Sequence, residues 1–118
     1  MTTPFEARVP AVFVPVRDMK RSVEWYSNLL GLSLPQDYNP EFHIFRLADS
    51  GANLFLERRD VVQPSPHVLF SLPAPQIDRA HDYMRENGIQ VVAVNCDPDG
   101  SRIHFMDPDG NVLMACDI

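Results

Sequence analysis

The stretch Asp107-Pro108-Asp109-Gly110-Asn111 stands between the apolar runs "IHFM" (103–106) and "VLMA" (112–115). Proline presets one backbone angle, glycine supplies a positive φ, and Asp and Asn side chains bond to nearby backbone groups. Such a cluster between two β-prone runs reads as a tight β-hairpin. The rest of the fold follows from comparing this end of the chain with what precedes it.

Upstream, the same order of elements occurs twice. "VPAVFVPV" (9–16) is apolar and β-branched, as a buried strand is. Asp18 then offers an N-cap. Met19, Val23, Tyr26 and Leu30 follow at helical spacing, widened by Trp25 and Leu29, and Gly31 supplies a left-handed stop. Three short strands are predicted next, in "LSLPQDY" (32–38), "EFHIFRLA" (41–48) and "ANLFLERR" (52–59). In the second half "HVLFSL" (67–72) is a strand and "PQIDRAHDYMRENG" (75–88) a helix, with Ile77, Ala80 and Met84 inward and Asn87-Gly88 as its stop. "IQVVAVN" (89–95), "SRIHFM" (101–106) and "NVLMACDI" (111–118) complete it. Gly88 follows Gly31 by 57 residues and Gly110 follows Gly51 by 59. Helix and strand alternation would also allow a ferredoxin-like sandwich. The repeat of strand, helix and three-strand meander favours two βαβββ modules instead, about 8–60 and 66–118, in one α/β (α+β) domain spanning 1–118.

Three segments, in order, carry a family resemblance. "VPVRDMKRSVEWYSNLLGL" pairs a strand and an aspartate with a Ser-x-x-x-Tyr helix ending in Leu-Gly. "HVLFSL" precedes a helix ending "NGIQV", and "FMDPDGNVLM" closes the chain. Together they resemble the vicinal-oxygen-chelate superfamily of glyoxalases, bleomycin-resistance proteins and extradiol dioxygenases. The resemblance implies curved mixed sheets around a cavity, a homodimer, and a site inside that cavity. It does not choose between isomerases, lyases, dioxygenases, transferases and drug binders.

The resemblance also implies metal-ligand positions. They match Ala11, seven residues before Asp18; His67, opening the second module; Met114, where a glutamate stands in metal-using members; and, through the internal repeat, Phe55. Ala11 and Phe55 have no donor atom, a thioether suits soft Cu(I), and one imidazole is not a chelate. No metal and no other cofactor is therefore expected, and a divalent ion is disfavoured. A displaced site, with His67 and His104 approaching each other and His43 or Cys116 further out, is the alternative.

Strand alternation extends the predicted pocket. Cys116 shares Met114's parity. Across the hairpin His104 is expected opposite Met114, and Arg102 opposite Cys116. In module one Phe45 is expected opposite Phe55, with His43 one step along. The ligand-pocket set is Ala11, Phe13, His43, Phe45, Phe55, His67, Leu69, Arg102, His104, Met114 and Cys116. His67 is the candidate catalytic residue should an imidazole act as acid or base. Each has a plainer reading: Phe45, Phe55 and Met114 as core filling, His67 as a hydrogen-bonded core histidine, Cys116 as a small hydrophobe.

Composition removes other classes. With 45% hydrophobic and 22% charged residues, 118 residues form one ordinary globular domain. A formal charge of −6 argues against nucleic-acid binding. No apolar run spans a bilayer, and "MTTPFEARVP" has no secretion-signal pattern. Two cysteines form no metal motif, so a cytoplasmic, reduced protein without membrane partner is expected. There is no phosphate loop, dinucleotide fingerprint or His-Glu-x-x-His. The function expected is a metal-independent small-molecule-binding protein with an aromatic pocket. The alternative is a metal-dependent lyase, isomerase or dioxygenase of the same superfamily.

Overall fold

Ala11–Val16 form β1, and the Asp18 carboxylate then accepts the Arg21 N–H at 3.1 Å to cap α1 (Met19–Leu30). Gly31, at φ 67°, ends the helix in the left-handed region. The remaining elements of this computed structural model, which describes residues 2–47, 51–64 and 66–117, are β2 (Phe42–Phe45), β3 (Asn53–Arg58), β4 (Ser71–Pro73), α2 (Ile77–Glu86), β5 (Val91–Asp97), β6 (Gly100–Met106) and β7 (Val112–Cys116). Ala48 and Ile118, the ends of two predicted strands, lie outside the described residues.

The strands form two mixed sheets, ordered β1-β3-β2 and β4-β7-β6-β5. β1 runs parallel to β3 and β4 parallel to β7, while the β2–β3, β5–β6 and β6–β7 pairs are antiparallel. The two sheets share one plan: the strand before the helix pairs with the last strand of its module. α1 packs on β2 and β3, and α2 on β6 and β7. Val14, Leu54, Leu56 and Phe45 from the first sheet, Val23 and Tyr26 from α1, and Ile103, Phe105, Leu113 and Met84 from the second module join in one buried cluster. Among the described residues, the opposite face of each sheet is left without a helix.

Two expectations need correction. Residues 32–38 form no strand, so the first module is βαββ among the described residues. Pro35 removes a backbone donor there, and Leu32 and Leu34 stay exposed, so neither ladder bonds nor burial favours pairing. The strand expected from His67 begins only at Ser71. Pro64 and Pro66 flank its approach and cannot donate to a ladder.

Candidate functional site

The 107–111 hairpin binds the two modules together. Asp107, Asp109 and Asn111 are all buried. The Asp107 carboxylate accepts the backbone N–H groups of Asp109 and Asn111, both at 2.9 Å, and the Tyr26 hydroxyl at 2.6 Å. Asp109 accepts from the Arg17 backbone N–H (3.2 Å) and Nε (3.1 Å) and from Arg21 Nη2 (3.0 Å). Asn111 Nδ2 donates to the Pro15 carbonyl at 3.0 Å. Burial first, then the charge and hydrogen bond of Asp107 and the charge of Asp109, push the Tyr26 phenol well above its ordinary pKa of 10.0. Asp107, Asp109 and Asn111 direct their side chains to protein partners, so the cluster's work is to dock β1 and α1 onto the second module.

The faces without helices carry the candidate site. On the first sheet, Phe13 lies opposite Phe55, and Ile44 lies opposite Phe55 from the other side. The Phe13 and Phe55 rings are 5.1 Å apart, and Phe42 stacks on Phe55 at 5.5 Å with planes 19° apart. Phe13 keeps 56% and Phe42 42% of its surface in solvent. Two exposed rings flanking the half-buried Phe55 on one sheet face are unusual, because aromatic side chains normally bury most of their area. On the second sheet the corresponding face carries Met114 opposite His104 and Cys116 opposite Arg102, with Ser71 beside Met114 and Asn95 beside Arg102. His104 Nδ1 is enclosed and has no hydrogen-bond partner.

Sequence parity therefore places Phe13, Phe55, Arg102, His104, Met114 and Cys116 on these faces, with Ala11 two positions before Phe13 on β1. Four other residues are elsewhere. Phe45 pairs with Leu54 rather than Phe55 and is 4% exposed in the core, 6.4 Å from the Tyr26 ring. His43 shares that helix-side face, edge-on to Phe45 at 4.6 Å, and its burial lowers its pKa from 6.5. The cause is a one-residue slip, which turns a strand over. Ile44 and Phe55 are eleven positions apart, whereas the repeat-related His104 and Met114 are ten apart. The first hairpin thus has one residue more than the second, and Phe42 and Ile44 take the places given to His43 and Phe45. Leu69 precedes β4, packs against the core and donates its N–H to the Val112 carbonyl. His67 is exposed, four residues ahead of β4.

The four positions matched to metal ligands do not fit a divalent ion. Ala11 and Phe55 offer no lone pair, Met114 offers a soft sulfur, and His67 is outside the strand that would aim it. Among the described residues no group of three His, Cys, Asp or Glu side chains is arranged to hold a metal. No described helix is long and apolar enough to cross a membrane.

Residues 8–115 match the family model of the glyoxalase/bleomycin resistance protein/dioxygenase superfamily. None of the curated proteins matches the sequence. Among solved structures, a glyoxalase/dioxygenase from Nostoc punctiforme is similar, with 23% identity, TM-score 0.75, and 98% of this chain and 94% of that one covered. A lactoylglutathione lyase from Agrobacterium tumefaciens has 14% identity and TM-score 0.74, covering 94% and 93%. The oxidase ChaP-H1 has 20% identity and TM-score 0.71, covering 94% and 95%. At these identities the likeness is one of fold.

Proposed function

The chain belongs to the glyoxalase/bleomycin resistance protein/dioxygenase superfamily, and within it we propose that it is a metal-independent small-molecule-binding protein that holds its ligand against an aromatic face. The observation that carries this reading is the ladder of half-buried Phe55 between the exposed Phe13 and Phe42 on the helix-free side of the first sheet. A flat apolar molecule laid on these rings gains offset stacking and removes apolar area from water. The donor chemistry of Ala11, Phe55 and Met114 supports binding without a metal.

The site is completed by pairing. We propose a homodimer in which the helix-free faces are covered, since the first sheet otherwise presents apolar surface that a second copy would bury. Its radius of gyration, 15.2 Å, exceeds the roughly 13.5 Å of a compact chain of this length, as an open protomer would.

The test combines metal analysis with ligand binding. Purified, untagged protein is expected to hold less than about one tenth equivalent of transition metal, as its donor set implies. A panel of planar aromatic compounds, read by thermal shift, should include ligands whose binding is unchanged by chelator. Phe55→Ala should weaken them about tenfold, a lost stacking contact. Stoichiometric iron, zinc, nickel or manganese, with turnover of a hemithioacetal or a catechol, would replace this reading by the lyase or dioxygenase one.

A further inference from the structure

Seven of the nine arginines are anchored: Arg8, Arg17, Arg21, Arg58, Arg59 and Arg85 to carboxylates and Arg79 to Gln76. Arg46 is exposed to solvent. Arg102 is different, because it is half-buried on the second sheet's helix-free face and has no hydrogen-bond or ion-pair partner among the described residues. His104, two residues along β6 on the same face, has Nδ1 enclosed and unpartnered. A half-buried guanidinium without a partner, in a chain that anchors most of its other arginines, needs a reason, and the enclosure of His104 Nδ1 directs that ring's proton to Nε2, on the open side beside it.

We propose that Arg102 and His104 form an anion subsite that takes the carboxylate of an aromatic acid. The proposal rests on the aromatic-face reading and adds the ligand's charge to it. A guanidinium presents a planar fork that matches a carboxylate with two parallel hydrogen bonds. With its proton on Nε2, His104 keeps Nδ1 as a bare acceptor in the enclosed position and offers the other nitrogen as a donor to the bound oxygen. Nε2 is the ring nitrogen that is not enclosed. Ser71 and Asn95 sit beside Met114 and Arg102 on that face and are neutral. One arginine, with exposed Asp97 two residues beyond Asn95 on the same face, suits a monoanion; a phosphate dianion would require more positive charge than this face supplies, in a protein whose net charge is already −6. The helix-free face of the first sheet supplies stacking from phenyl rings, and that of the second supplies a guanidinium and no phenyl ring. A molecule using both has an aryl ring at one end and an acid at the other.

The experiment compares 2-naphthoate with 2-naphthamide, the same shape without the charge, by titration calorimetry on the full-length protein. Naphthoate is expected to bind about tenfold more tightly, the effect of a charge-assisted contact. Arg102→Gln should abolish that preference, bringing the two compounds to similar affinity, and Arg102→Lys should recover part of it. A cooperative thermal melt and a far-UV circular dichroism spectrum like the wild type's establish that the variants fold. Phe55→Ala should weaken both compounds alike. Equal binding of the two compounds, or a preference that survives Arg102→Gln, would overturn the anion subsite and leave the aromatic face standing. If neither compound binds the wild type, the aromatic reading falls and the subsite falls with it.

Discussion

Tyr26 connects the helix of one module to the turn of the other. Its hydroxyl gives Asp107 a short hydrogen bond at a site closed to water. Tyr26→Phe leaves a buried carboxylate one donor short and should cost about 1.5–3 kcal/mol by chemical denaturation. The same contact sets an alkaline limit. The folded pKa is raised, so the stabilisation is fully present below the unfolded value near 10 and is lost as pH rises through it toward the folded value. The wild type should therefore lose stability on the alkaline side more steeply than Tyr26→Phe, and the variant should lack the latest tyrosinate absorbance step. The sequence makes Tyr26 legible as a helix-face residue, by its spacing from Met19 and Val23. Nothing local announces that its hydroxyl has a partner 81 positions away.

The hairpins differ in how readable they are for a physical reason. Between β6 and β7, alternation is clear: Ile103, Phe105, Leu113 and Ala115 are buried on one side, and the register Arg102–Cys116 and His104–Met114 follows from it. In β2 the run Phe42-His43-Ile44-Phe45 has apolar residues at both parities, so alternation does not choose a face, and one residue more in the connection decides it. The 107–111 turn is legible because its geometry demands its residues. Gly110 has φ 86°, and a Cβ there would sit 3.3 Å from Pro64 Cγ. Gly110→Ala should destabilise the protein by about 1–2 kcal/mol from backbone strain, with the proline contact adding to it. A thermal melt measures this, and a melting temperature equal to that of the wild type would refute it. The lost strand at 32–38 illustrates the opposite case: Pro35 stands in a run whose leucines find no cover.

At the scale of the molecule, each sheet has one covered and one uncovered face. If the proposed dimer covers them, light scattering at working concentration gives twice the mass of the 13.4 kDa chain. A monodisperse monomer would remove the dimer and leave the module plan intact. The family and its two-sheet architecture could be read from the ordered repeat of strand, helix and turn. Which residues lie on the helix-free faces could be read for β3, β6 and β7, and only in part for β2 and β4, where proline and loop length outweigh pattern.

The buried clamp also places the chain's ends in a definite order of time. Asp109 and Asn111 reach back to Arg17 and Pro15 across 92 and 96 positions, so closing this contact means closing most of the polypeptide into a loop. Contacts of such separation are expected to form after the barrier to folding, once each module has condensed around its own helix. Tyr26→Phe should then leave the refolding rate nearly unchanged and raise the unfolding rate by most of the lost stability, a split that stopped-flow measurement of both limbs would reveal. A turn that looks like a simple reversal of direction thus acts as the latch that governs how long the native state lasts.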